Sequence, residues 1–166
     1  MLAETERNVA FESKKRLREF ANNKIRRWYY FRLSSGTISE MLMKATVPGR
    51  GELNARLLKH LSPVTFSMIQ RSVPITGRLN FYEKIFAYVL TNVTNGEEKA
   101  KKEFKRGDVA FMPSGSMICF FLQDTRSYKP MNPLGVVTSG LETLEASKRG
   151  DYLEIRSIVN PISEKK

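Results

Sequence analysis

Two short apolar runs on either side of a tight turn constrain the fold of this chain more than any other feature. The runs are residues 109–112 and 117–122, and Pro113 and Gly115 lie between them. Short runs that are bounded by turn residues and rich in aromatic side chains are typical of β-strands buried on both faces. We therefore predict a β-hairpin in the core of a mainly β fold. Gly115 is predicted to take a backbone conformation that a Cβ atom would penalise.

Length and composition bound the rest of the chain. Its 166 residues suggest one domain with at most an appendage, and an apolar fraction of 41% is enough to build a core. The single cysteine, Cys119, excludes an internal disulfide and a multi-cysteine zinc site, which fits a reducing compartment. No apolar run approaches the roughly 20 residues of a membrane span, and no secretory signal is recognised. We expect a cytoplasmic protein.

The chain is strongly basic, with a formal net charge of +11. Such an excess raises affinity for nucleic acids and anionic surfaces. The charge is spread along the chain, however: residues 1–28 carry a net +4, residues 29–91 carry +5 and residues 92–166 carry +2. This distribution favours a generally basic protein over one with a dedicated nucleic-acid site.

Residues 5–28 have the pattern of a basic amphipathic helix. Apolar residues recur at spacings of three and four between Leu17 and Trp28, Ser13 can cap the helix, and basic residues take most of the other faces. Three roles stay open. The helix docks on the rest of the protein, contacts nucleic-acid phosphates, or lies on an anionic membrane or a protein partner. We favour the first role.

The remaining patterns predict a series of strands and helices. Aromatic and β-branched stretches predict strands, and polar stretches rich in mixed charge or proline predict loops. Leucines on one helical face predict a helix that Ser62 and Pro63 end, because proline cannot continue it. The predicted strands are 28–33, 37–47, 64–69, 79–90 and 152–159, the predicted helices are 52–61 and 141–149, and the predicted surface loops are 92–106 and 123–133.

Two blocks of the sequence are similar to a known family. The first reads Gly-Asp-Val-Ala-Phe-Met-Pro-Ser-Gly-Ser-Met-Ile-Cys-Phe-Phe, and the second reads Asn-Pro-Leu-Gly-Val-Val followed by Gly-Leu-Glu-Thr-Leu. In this order they resemble the small archaeal and bacterial cyclophilin-like proteins, a mostly uncharacterised family of single-domain β-barrels. The chain departs from the family pattern at Met112, Ser114 and Leu122. The likeness spans residues 28–158.

The resemblance implies a closed cyclophilin-like β-barrel with two short helices, to which the N-terminal amphipathic helix is added. We accordingly divide the chain into a basic helical extension at 1–27, a barrel at 28–160 and a tail at 161–166.

Cyclophilins are peptidyl-prolyl isomerases, so the resemblance raises that activity as a hypothesis. The reaction needs an apolar pocket for the proline ring and a cation, usually an arginine, near the prolyl amide. The isomerases carry a Phe-His-Arg strand motif about where residues 85–89 of this chain read Ile-Phe-Ala-Tyr-Val. Arg78 is only a weak candidate for the cation, because nothing in the sequence places it in a groove. No other catalytic residue is predicted, and we lean against an enzyme because fold alone does not give function.

A ligand groove is predicted beside the central hairpin instead. Its candidate residues are Phe86, Tyr88, Phe111, Met112 and Met117, each of which can equally be ordinary core. The leading hypothesis is a binding module for an extended peptide or a small ligand. The alternatives are a divergent prolyl isomerase and a nucleic-acid-binding protein that uses the N-terminal helix.

No metal or cofactor site is predicted. His60 is the only histidine, and no second histidine or cysteine cluster accompanies it. Cys119 lies in an apolar strand and is interpreted as an inert buried thiol, although a Cys119–His60 nucleophile pair stays open.

Overall fold

The protein is described here by a computed structural model, which defines residues 39–158. The helix predicted at 5–28, the strand predicted at 28–33 and the tail at 161–166 lie outside these residues.

Residues 39–158 contain ten β-strands and two α-helices, which confirms the prediction of a mainly β fold; of the two predicted helices, the one at 141–149 is present. No helix in this part of the chain is both long and apolar enough to cross a membrane. The helices are α1 (Pro63–Ser72) and α2 (Leu141–Ala146). The strands are β1 (Glu40–Val47), β2 (Gly51–Leu58), β3 (Ile75–Arg78), β4 (Asn80–Tyr82), β5 (Phe86–Leu90), β6 (Lys101–Phe104), β7 (Asp108–Met112), β8 (Met117–Phe121), β9 (Thr125–Ser139) and β10 (Tyr152–Ser157).

The strands form one curled sheet whose ends meet without a hydrogen-bonded seam. The order is β3-β10-β1-β2-β9-β7-β8-β5-β4, and β6 pairs with β9 outside that path. The end strands β3 and β4 are joined by a single residue, Leu79. Gly77 of β3 faces Val89 of β5, since a Cβ at position 77 would lie 2.7 Å from the valine Cγ2. Packing joins the two ends, so the prediction of a closed barrel is corrected: between residues 39 and 158 no β-ladder closes it.

The central hairpin forms as predicted from β7 and β8. The two strands pair from Val109 opposite Phe120 to Met112 opposite Met117, and most of their side chains are buried. The turn differs in one detail. Ser116, with φ of 49°, takes the left-handed conformation, and Gly115 does not. A Cβ at position 115 would overlap only the end of the flexible Met117 side chain, which can move aside, so neither the backbone angle nor the space requires glycine here.

Strand β2 replaces the helix predicted at 52–61. Every second residue of this strand is buried in the core, as expected of a β-strand; these residues are Leu53, Ala55 and Leu57. A spacing of four residues fits one face of a helix and one face of a strand equally well. Leu53 and Leu57 therefore did not distinguish a helix from a strand at this position. Pairing with β1 along the whole strand, and with β9 on the other side, selects the strand.

Helix α1 begins where the sequence was expected to end a helix, and it replaces the strand predicted at 64–69. Pro63 occupies the first helical position, where its missing N–H removes no helical hydrogen bond. The buried residues of helix α1 are Thr65, Phe66 and Ile69, and their spacing defines the helical face that packs against the sheet.

Three further predictions are corrected by the pairing of strands. The strand predicted at 79–90 is divided into β4 and β5 by a turn in which Glu83 has φ of 50°. The loop predicted at 92–106 contains β6, and the loop predicted at 123–133 is the first half of β9. Two prolines, Pro130 and Pro133, had indicated a loop at 123–133. Each lies beside an irregularity in its ladder, which is where a strand tolerates proline.

Strand β9 crosses the middle of the sheet and needs a glycine to do so. Gly135 pairs with Leu57 of β2 on one side and with Val109 of β7 on the other. A Cβ at this position would lie 2.8 Å from the carbonyl carbon of Arg56 and 2.9 Å from the Cα of Leu57. Both are backbone atoms, so no side-chain rotation can relieve the contact.

Candidate ligand-binding cavity

A cavity opens at the Met112 end of the hairpin because β9 changes its partner there. From Asn132 to Val136, β9 pairs with β7, whereas its first half, between Thr125 and Met131, pairs with β6. The first half of β9 therefore separates from the hairpin and from β5. The space between them has a volume of about 480 Å³, which lies within the range of roughly 300–1,000 Å³ typical of small-molecule sites.

The floor of the cavity is apolar and aromatic. Phe86, Met112 and Met117 line it and pack on a buried cluster that includes Phe121. The side chain of Phe86 is only 6% exposed. Its ring stacks on Tyr82, with 5.2 Å between centroids and 19° between planes, and packs on Phe121 at 5.4 Å. These contacts hold the Phe86 ring in place at the floor of the cavity.

The rim of the cavity carries hydroxyl groups and positive charge. Arg126 and Lys129 of β9 are the charged lining residues among those that the structure describes. Arg126 Nη1 donates to Glu103 Oε1 at 3.0 Å, and these two side chains are 70% and 79% exposed. An ion pair this exposed contributes roughly 0–1 kcal/mol. The hydroxyl-bearing lining residues are Tyr82, Tyr88, Thr125, Ser127 and Tyr128.

The structure brings together four of the five groove residues named from the sequence. Phe86, Tyr88, Met112 and Met117 all line the cavity. Phe111 does not, because alternate residues of a strand point to opposite faces and Met112 takes the cavity side. Phe111 is instead fully buried in the core.

Arg78 lies away from these residues. Its Nη1 donates to the carbonyl oxygen of Gly150 at 3.2 Å, and its guanidinium lies over the ring of Tyr152 at 6.0 Å. The arginine among the residues that line the cavity is Arg126. Arg126 and the other rim residues of β9 were not predicted as site residues, because residues 123–133 were predicted to form a loop. Their alternation of small polar and larger residues from Thr125 onward was the available signal of a strand.

Cys119 and His60 occupy different environments. Cys119 is fully buried, and burial raises the pKa of its thiol. His60 is exposed in the turn after β2. Within residues 39–158, no group of three or more His, Cys, Asp or Glu side chains is arranged to hold a metal ion.

A polar cluster anchors β9 where it changes partner. Asn132 is fully buried, and its Nδ2 donates to Thr65 Oγ1 at 3.2 Å and to the Gly96 carbonyl at 2.9 Å. Its Oδ1 accepts from the Glu98 N–H at 2.7 Å. Asn132 thereby joins β9 to the N-terminal end of α1 and to the loop before β6.

The carboxylate of Glu98 caps helix α1 from outside the helix. Its Oε1 accepts from the Val64 N–H at 2.8 Å, and its Oε2 accepts from the Thr65 N–H and Oγ1, both at 2.9 Å. Burial raises the pKa of Glu98, but the hydrogen bonds from Thr65 and Val64 outweigh it and leave the pKa below its ordinary value. No pattern in the sequence indicated this role, since residues 92–106 were predicted to form a solvent-exposed surface loop.

Comparison with known proteins supports the fold. The family model described as cyclophilin-like matches residues 41–156. The solution structure of the hypothetical protein AF2241 from Archaeoglobus fulgidus is 25% identical, covers 71% of this chain and 95% of its own, and superposes with a TM-score of 0.62. The structure of McbB in complex with tryptophan is 15% identical, covers 71% of this chain and 45% of its own, and has a TM-score of 0.59. No curated protein matches the sequence.

Proposed function

We propose that this chain, which belongs to the cyclophilin-like family, is a binding module whose ligand occupies the cavity beside Met112. The observation that carries the proposal is an open cavity of about 480 Å³ with Phe86, Met112 and Met117 on its floor. Apolar side chains that face a cavity gain free energy when a ligand removes them from water. The ligand is a small molecule or an apolar side chain of an extended peptide.

The peptide form of the proposal is supported by the strand next to the cavity. Among residues 39–158, β4 pairs with β5 alone, and its residue Tyr82 lines the cavity. An extended peptide can add to such an edge and place one side chain in a neighbouring pocket.

Methionine methyl groups provide a direct test, because the chain has seven methionines and two of them line the cavity. The full-length protein, labelled with ¹³C at its methionine methyls, is titrated with naphthalene-2-carboxamide and separately with naphthalene-2-carboxylate. An aromatic probe with about 13 non-hydrogen atoms at about 0.3 kcal/mol per atom is expected to bind with a Kd near 1 mM. We expect saturable shifts of the Met112 and Met117 signals, while those of Met41 and Met43, buried in β1, stay in place.

A matched pair of variants tests the location. Ser127→Trp places an indole in the rim of the cavity and should abolish the shifts, whereas Ser139→Trp, an exposed site at the other end of β9, should preserve them. If neither probe shifts the methyl signals of Met112 and Met117, the cavity is not the ligand site. The same conclusion follows if the signals of Met41 and Met43 shift as much as those of Met112 and Met117.

A second function, prolyl isomerisation, is favoured by one observation: an arginine, Arg126, is among the residues that line a cavity with an apolar floor. The barrier at the prolyl bond is about 18–20 kcal/mol, and lowering it requires a donor held in place before the substrate arrives. Arg126 is 70% exposed and bonded to Glu103, so it is poorly fixed. We therefore predict little or no acceleration of cis–trans exchange in a proline tetrapeptide, measured by NMR exchange spectroscopy at stoichiometric protein. Strong acceleration that is lost in Arg126→Gln, and kept in Arg78→Ala, would establish the isomerase instead.

The nucleic-acid hypothesis depends on the helix predicted at residues 5–28, which lie outside the described residues. It predicts retention on DNA or RNA that falls steeply with salt and disappears when residues 1–27 are removed.

A further inference from the structure

The charged residues that line the cavity are of one sign. Arg126 and Lys129 lie at the rim, and none of the lining residues in the described part of the chain is acidic. The floor, by contrast, consists of Phe86, Met112 and Met117 and carries no charge. A ligand that complements both parts has an apolar body and a negatively charged end.

The guanidinium of Arg126 can exchange its partner at little cost. Its bond to Glu103 joins two side chains that are mostly in solvent, and such pairs are weak. A guanidinium carries five N–H donors in a planar fork, which matches the two oxygens of a carboxylate. A ligand carboxylate held over the apolar floor is shielded from water more than Glu103 is, so its attraction to the guanidinium is stronger.

We infer that the cavity binds a small aromatic or aliphatic carboxylate, with the apolar body on Phe86, Met112 and Met117 and the carboxylate paired with Arg126 and Lys129. This inference rests on the proposed function, and it adds the chemical class of the ligand. The ammonium of Lys129 supplies a second positive charge whose flexible stem adapts to the position of the anion.

The test compares the two probes of the methionine titration, which have the same aromatic body and differ in charge. At neutral pH and about 50 mM salt, naphthalene-2-carboxylate should bind at least about tenfold more tightly than naphthalene-2-carboxamide, with both probes shifting Met112 and Met117. In the double variant Arg126→Gln, Lys129→Gln the ratio of the two affinities should fall to about one. Both side chains are exposed, so the variant is expected to stay folded, which the unchanged methyl signals of Met41 and Met43 would verify.

A control with the same loss of charge separates recognition from general attraction to a basic protein. Lys44→Gln, Arg156→Gln removes two cations that lie opposite each other on β1 and β10, and neither lines the cavity. The preference for the carboxylate should survive in it. Equal affinities of the two probes for the original protein would overturn the inference and leave the binding cavity in place. A preference that falls equally in both double variants would also overturn it. If neither probe binds at the cavity, the proposed function fails as well.

Discussion

Replacing Glu98 by glutamine should weaken the contact between helix α1 and the loop before β6. The carboxylate accepts three short hydrogen bonds, from the Val64 N–H, the Thr65 N–H and Thr65 Oγ1. An amide group offers one oxygen in place of two, so it turns an NH₂ group toward at least one of these donors. Loss of a capping acceptor costs about 0.5–2 kcal/mol, and hydrogen bonds to a charged group lie at the upper end of that range. We expect Glu98→Gln to lower the free energy of unfolding by about 1–2 kcal/mol.

Thermal denaturation followed by circular dichroism measures this effect. For a chain of this size, about 1–2 kcal/mol corresponds to a decrease in Tm of about 3–8 °C. Glu97→Gln is the matched control, because Glu97 is the adjacent residue, carries the same charge and is exposed. Its Tm should stay within about 1 °C of the original protein, since exposed substitutions away from such contacts change stability little.

The pH dependence provides a second, independent test of Glu98. The pKa of Glu98 is lower in the folded protein than its ordinary value, so the unfolded chain takes up the proton first as the pH falls. The stabilisation is therefore complete above the pKa of the unfolded chain and is lost as the pH falls through the pKa of the folded state. Glutamine does not titrate. The difference in Tm between the original protein and Glu98→Gln should thus be largest near pH 7 and shrink below about pH 4. A variant that melts with the original protein at pH 7, or a difference that is the same at pH 7 and pH 3.5, would show that Glu98 does not cap the helix.

Three further predictions concern the core, the single thiol and the N-terminal residues. Gly135→Ala should destabilise the protein by at least about 2 kcal/mol, because its Cβ would meet the backbone of β2, while Gly96→Ala, which meets open space, should change the chemical-denaturation midpoint little. The buried Cys119 should react with a disulfide reagent at pH 8 only in denaturant, and rapid labelling of the native protein would contradict its burial. A chain that starts at residue 28 should remain folded by circular dichroism. A lower Tm with exposed apolar surface would indicate that the removed segment docks on the rest of the protein, and an aggregated product would refute the prediction that the β domain folds on its own.

The sequence predicted those parts of the fold whose pattern fits only one structure. The hairpin of β7 and β8 was recognised because its short aromatic runs and its turn point to strands alone. Strand β2 was missed because Leu53 and Leu57 fit two periodicities, and only pairing with β1 and β9 decides between them. Pro63 was taken as a helix end although proline is equally suited to a helix start.

The candidate site was also predicted only in part: its floor was predicted from the sequence, and its rim was not. Its floor came from the hairpin and β5, which were predicted as strands, so Phe86, Met112 and Met117 were named in advance. Its rim came from the first half of β9, where Pro130 and Pro133 indicated a loop. No local pattern states that a long strand changes partner halfway, because that depends on contacts with β6 and β7, which are distant in sequence.

The capping cluster and the cavity depend on the same residue, Asn132. On one side it pairs with Phe111 at the last point where β9 and β7 are joined, and beyond it β9 turns toward β6 and leaves the cavity open. On the other side its amide is bonded to Thr65, Gly96 and Glu98. A buried amide with all its bonds satisfied has few alternative positions, since each lost bond costs about 1–3 kcal/mol. The position at which β9 separates from the hairpin is therefore held by contacts with helix α1 and with the loop before β6, and none of these contacts is made by a residue that lines the cavity.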